Sequence, residues 1–133
     1  MTRQVINPDE LFNSVQFGFS QITIGTGSRI VTVSGQVAWD KDMNIVGKHD
    51  FAVQIIKAFE NLSLAMTAAG GSMDDVLSLR IYMVQRVMPQ HEAVRNALKQ
   101  FFPENPPTTT QIVIPALANE DFLVEIEAFA VLT

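Results

Sequence analysis

The chain has 133 residues, 47% of them hydrophobic, with no cysteine and a net charge of −5. That is enough for one domain with a sizeable core, residues 1–133 as a single unit, and it excludes a disulfide framework or a thiolate metal site. The nine Lys and Arg residues are scattered singly, which excludes the basic stripe that phosphate binding needs and argues against a nucleic-acid partner.

No apolar run approaches the length of a membrane span, and the opening Met1–Val5 lacks the apolar stretch of a signal peptide. The reading is a cytoplasmic protein with no membrane partner. Residues 15–24 alternate enough to predict a strand. Gly25-Thr26-Gly27-Ser28 is turn chemistry, and the β-branched run Arg29–Ser34 predicts a second strand, so the pair reads as an antiparallel hairpin. Gly35 ends that strand, where the backbone bends or comes close to something. Trp39–Asn44 is polar and turn-like. Asp50 is placed to cap a helix in which Phe51, Ile55, Phe59, Leu62, Met66 and Ala69 form the apolar stripe, with Gln54, Lys57 and Asn61 on another side. Gly70-Gly71 stops it.

Val76–Val84 predicts a strand with Leu77, Leu79, Ile81 and Met83 on one face and Val76, Ser78, Arg80 and Tyr82 on the other. Pro89 suits the first position of a second helix, whose stripe is Val94, Ala97, Leu98 and Phe101. Pro103 and Pro106-Pro107 end it. Two strands close the chain, Thr108–Ile114 and Leu123–Ala128, joined by a polar turn around Asn119-Glu120-Asp121. The predicted order is β-β-α-β-α-β-β, an α+β domain with helices on one sheet face. The other face carries Val76, Tyr82 and Phe129, too apolar to leave wet, which predicts an oligomer in which open faces meet.

Candidates for chemistry lie mainly on this sheet. Glu125 and Glu127 share one side of the last strand, as an acid–base pair or as solvated, ion-paired edge carboxylates. Arg80 either grips a carboxylate bidentately or makes a structural ion pair with one of these glutamates. Thr108, Thr109 and Thr110 offer hydroxyls, or simply form strand. His49 and His91 have no second ligand at metal spacing, so no metal is expected. Ser20 and Ser34 lack a histidine base, which leaves a serine triad without support.

Several segments together resemble the RidA/YjgF family of reactive-intermediate deaminases: Gly18-Phe19-Ser20-Gln21, Val33–Asp40 with its Ser-Gly-Gln core, Glu60-Asn61-Leu62, Ala68–Gly71, Arg80–Met83 and, most specifically, Val124–Val131. The resemblance implies a chorismate-mutase-like α+β fold, a mixed sheet with two helices on one face, and a homotrimer with a small-molecule ligand in each intersubunit cleft. It implies hydrolysis of enamines and imines to keto acids and ammonia without a cofactor. By resemblance the catalytic glutamate is Glu125, with Gly35 beside the cleft. Phe19 stands where the cleft tyrosine is usual. In Pro106-Pro107-Thr108-Thr109 the position of the substrate-holding arginine is Thr108, which cannot supply a bidentate guanidinium. This matches an arginine-lacking branch with altered substrate preference, or a non-catalytic trimer that binds or regulates. The family's older ribonuclease association is disfavoured by the sparse basic residues.

Overall fold

The computed structural model describes residues 3–133; the first two positions of the polar amino-terminal stretch lie outside the described residues. Six strands and two α-helices run in the order β1 (Gln4–Ile6), β2 (Ile22–Ile24), β3 (Arg29–Gln36), α1 (Phe51–Ala68), β4 (Val76–Val84), α2 (His91–Phe101), β5 (Thr108–Ile114) and β6 (Val124–Leu132). The main sheet has strand order β3-β6-β4-β5, and β1 and β2 form a separate pair. β6 is antiparallel to both neighbours, while β4 and β5 are parallel, as a strand–helix–strand crossover through α2 demands.

α1 forms where its stripe predicts. The Asp50 side chain accepts from the Val53 backbone N–H at 3.1 Å. At the far end Gly70, at φ 92°, donates to the Thr67 carbonyl and Gly71 to that of Met66, a Schellman closure that favours glycine at its left-handed position. Phe51, Ile55, Phe59, Leu62 and Met66 are buried against Leu79, Ile81 and Ile126 of the sheet. Phe59 stacks on Phe101 at 5.2 Å and meets the edge of Phe102 at 5.9 Å, which ties α2 to α1.

Several expectations are corrected. Residues 15–24 are not one strand. Val15–Phe17 form a 3-10 turn closed by Gly18 at φ 94°, and only Ile22–Ile24 is extended. That short strand pairs with β1, which the sequence reading did not include, so the expected hairpin with Arg29–Ser34 does not exist. β3 pairs instead with β6. Alternation misled here because Val15, Phe17, Ile22 and Ile24 all stay exposed; their pattern records no burial within this chain. Val76 is buried rather than on the open face, because a bulge between Val76 and Ser78 shifts the alternation. Pro89 lies within a 3-10 segment, Gln85–Gln90, ahead of α2 rather than at its first position. The two closing strands, joined by a polar turn as the sequence predicts, do not pair with each other, since β6 lies between β3 and β4.

Gln54 does not sit on a solvated side. It is fully buried, donating to the carbonyls of Gly47 (3.2 Å) and Asp121 (2.9 Å) and accepting from the Leu123 N–H at 3.0 Å. Gln54→Ala orphans these backbone groups and should cost about 3 kcal/mol. The check is a lower urea midpoint at unchanged slope.

Candidate functional site

Beyond β3 the chain runs through a loop pinned from α1. Asn61 donates to the carbonyls of Val37 at 2.9 Å and Trp39 at 2.8 Å. The loop is also tied internally. Asp40 Oδ1 accepts from the N–H groups of Asp42 and Asn44, each at 2.9 Å, and Oδ2 from the Asn44 amide at 3.1 Å. These bonds, those from Asn44 foremost, hold the Asp40 carboxyl below its ordinary pKa. Trp39 meets the edge of Phe122 at 4.8 Å. Between this loop, α1 and the start of β6 lies an open cavity of about 880 Å³, lined by Gly35, Trp39, Lys41, Lys57, Asn61, Leu64, Phe122 and Glu125 among others. Its size is that of a small-molecule site.

Gly35 and Glu125 meet at its sheet-side wall. A bulge separates Val33 from Gln36 in the β3–β6 ladder. A side chain at Gly35 would put its Cβ into the Glu125 carboxylate. Gly35 has no positive φ, so a side chain there would disturb the Glu125 side chain rather than the backbone. Glu125 is half-buried, and its carboxylate has no hydrogen bond or ion pair among the described residues. A carboxylate that faces an open cavity without a partner can accept hydrogen bonds from, or pair with a cationic group of, a bound molecule.

Arg80 lines a different and smaller depression, about 130 Å³, together with Thr32, Ser78, Glu127 and Phe129 on the open sheet face. Register sets Arg80 opposite Glu127 and Tyr82 opposite Glu125. Arg80 Nη1 lies 3.7 Å from Glu127 Oε1, and the Tyr82 hydroxyl donates to the same oxygen. That hydrogen bond is the main reason the Tyr82 pKa is raised. Of the two glutamates, then, Glu127 is engaged, and Glu125 has no hydrogen bond or ion pair among the described residues.

Phe19, Thr108 and Thr109 form a third locality. Ser20 bridges Thr108, which brings Phe19 beside the start of β5, and Phe19 meets the edge of Phe12 at 6.2 Å. The Thr108 hydroxyl donates to the Leu77 carbonyl at 3.2 Å. The Thr109 hydroxyl is buried with no hydrogen-bond partner among the described residues. Thr108 sits in register with Ser78, and Glu125 with Tyr82, two strands and four residues apart. At ordinary strand spacing this is about 16 Å, too far for one small ligand to touch both within a single copy.

Reasoning from sequence did not single out Lys41, Lys57, Trp39 or Phe122 as site residues. A signal was present: Gln54, Lys57 and Asn61 recur at helical spacing on one side of α1, and that side faces the loop.

The chain belongs to the Endoribonuclease L-PSP family, whose model matches residues 14–132. It is 34% identical to YyfB, a Rid family protein of unknown function from Yersinia pestis, with a TM-score of 0.94 covering 99% of this chain and 100% of that one. A RutC family protein of Pyrococcus horikoshii is 28% identical over 98 residues, 74% of this chain and 75% of its own. The structure of Escherichia coli TdcF with bound serine is 27% identical, with a TM-score of 0.70 over 83% of this chain and 85% of that one. The RidA/YjgF resemblance and the α+β fold it implies are thereby shown. Among the described residues no helix is long and apolar enough to cross a membrane.

Gly35→Ala should push the Glu125 side chain aside while keeping the fold. Urea denaturation of wild type, Gly35→Ala, Glu125→Ala and the double variant should return a coupling energy of at least about 0.5 kcal/mol.

Proposed function

We propose that this chain is an imine or enamine hydrolase with non-standard substrate preference, acting in a cleft completed by a second copy in a homotrimer. The observation that carries the reading is the Glu125 carboxylate, without a hydrogen bond or ion pair among the described residues and set against Gly35 in a cavity of about 880 Å³. Glu125 accepts a proton from water as the water oxygen bonds to the imine carbon and the C=N π pair moves to nitrogen. It returns that proton to the nitrogen, giving the neutral carbinolamine, then takes the carbinolamine hydroxyl proton and passes it to the same nitrogen as the C–N bond breaks with its pair, so that ammonia leaves and the carbonyl forms. Imine and water are consumed, carbonyl compound and ammonia are made, and no cofactor enters the balance.

Phe19, Thr108 and Thr109 enter the cleft from the neighbouring copy. Their separation from Glu125 within one chain supports that arrangement, as do the apolar Ile30 and Phe129 exposed on the helix-free face. Light scattering at micromolar concentration should return three times the 14.7 kDa chain mass; a monomer removes the shared cleft.

Thr108 sets the substrate preference. Its hydroxyl is bonded to a backbone carbonyl and it carries no charge, so a small substrate held chiefly by its carboxylate at that wall loses its anchor. Hydrolysis of 2-aminoacrylate should run about a hundredfold or more below that of an arginine-bearing relative, the equivalent of roughly 3 kcal/mol. Keto-acid release from freshly generated 2-aminoacrylate measures it, and Thr108→Arg should raise the rate. The same substitution favours a second reading, a non-catalytic ligand-binding or regulatory trimer. Ligand binding with no turnover of any imine, by wild type or by Thr108→Arg, selects that one.

A further inference from the structure

We propose that Lys57, with Lys41 across the loop, is the anion anchor of the Glu125 cavity, and that it selects ligands bearing a carboxylate. The inference rests on reading this cavity as the imine site, and adds which part of the substrate each wall holds.

Gln54, Lys57 and Asn61 share one side of α1, and the two flanking residues are spent on backbone. Gln54 bonds Gly47, Asp121 and Leu123; Asn61 bonds Val37 and Trp39. Lys57, between them and half-buried, has no hydrogen bond and no salt bridge among the described residues. Its charge acts only weakly on Asp40, whose oxygens already accept from Asp42 and Asn44. An ammonium group carries three donors. Lys57 therefore lines a cavity with donors that the fold leaves unused.

Polarity points the same way. The cavity has cations from α1 and the loop, the Asp40 carboxylate on the loop with its oxygens already bonded to Asp42 and Asn44, the Glu125 carboxylate on the sheet side, and Trp39, Leu64 and Phe122 among its apolar lining. A molecule with a carboxylate, an imine nitrogen and an apolar side chain matches those walls: carboxylate to Lys57, nitrogen to Glu125, side chain against the rings. Other candidate anchors lie elsewhere. Thr108 is uncharged, and Arg80 lines a separate depression where it pairs with Glu127. An anchor on the helix side also leaves room for a branched or aromatic side chain, which a small enamine does not fill.

The test is calorimetric titration with the keto acid derived from leucine and with its uncharged methyl ester, on wild type, Lys57→Gln and Lys57→Arg. Gln and Arg are helix formers similar to Lys, so α1 should persist. Wild type should bind the keto acid well above the ester. Lys57→Gln should lose about tenfold in affinity for the acid and nothing for the ester, with Lys57→Arg staying near wild type. Should Lys57→Gln fail to fold, Lys57→Ala decides by the same titration. Equal affinity for acid and ester in wild type, or an unchanged affinity for the acid in Lys57→Gln, overturns the anchor. Release of keto acid from the leucine-derived imine is followed in parallel. Binding as expected with no release by wild type leaves the anchor standing and removes the hydrolase. Release by wild type with the same KM in Lys57→Gln removes the anchor and leaves the hydrolase.

Discussion

One buried amide holds the site's two flanks together. Gln54 lies in the first turns of α1 with no exposure, and its donors and acceptor reach Gly47 before the helix and Asp121 and Leu123 before β6. Those two segments are far apart in sequence and belong to different layers. An apolar side chain could fill the volume, but it would leave three backbone groups dry and unpaired, a larger penalty than the transfer gain of a few methylenes. With the amide in place, Phe122 comes to rest on Trp39 and the strand that carries Glu125 starts where it does. Asn61, two turns further along, fixes the opposite end of the same loop. The loop walls of the cavity are thus set from inside the helix rather than by the loop's own packing.

What could be read from the residues, and what could not, follows from where the signal was local. α1, β4 and the closing strand carry strong periodicity and explicit punctuation, Asp50 at one helix end and Gly70-Gly71 at the other, and they formed as expected. Residues 15–24 failed because alternation shows only that two faces differ, and in this chain neither face of that segment becomes a core. The bulge at Val76 moved one residue across the sheet without any composition change to announce it. Strand order was hidden for a different reason: β6 enters between β3 and β4, a non-local choice that no short window contains. For the candidate site, the terminal signature and the Ser-Gly-Gln segment point to Glu125 and Gly35, and the structure sets these two residues side by side. Lys57 was passed over because a lysine among helix polars looks like a solvated face until the loop is seen lying over it.

The division of labour between the two strand glutamates is also a matter of register. Residues two apart on one strand face the same way, yet each meets a different cross-strand partner. Glu127 falls opposite Arg80 and within reach of the Tyr82 hydroxyl, and becomes part of a polar cluster on the open face. Glu125 falls next to the place where β3 breaks step and Gly35 presents no side chain. A bulge in a neighbouring strand thus distinguishes two chemically identical groups, one neutralised and one left available.

The same bulge has a bearing on self-association along the sheet margins. β3 and β5 are the outer strands, and an outer strand with unpaired backbone groups is a template for indiscriminate lamination with other chains. β3 loses its regular ladder at Gly35. β5 is bounded by Pro106-Pro107 on one side and Pro115 on the other, and its first residue is already bridged by Ser20. Proline offers no N–H to an incoming strand. One margin is broken by its bulge and the other is bounded by prolines, and both features hinder growth of the sheet by strand addition.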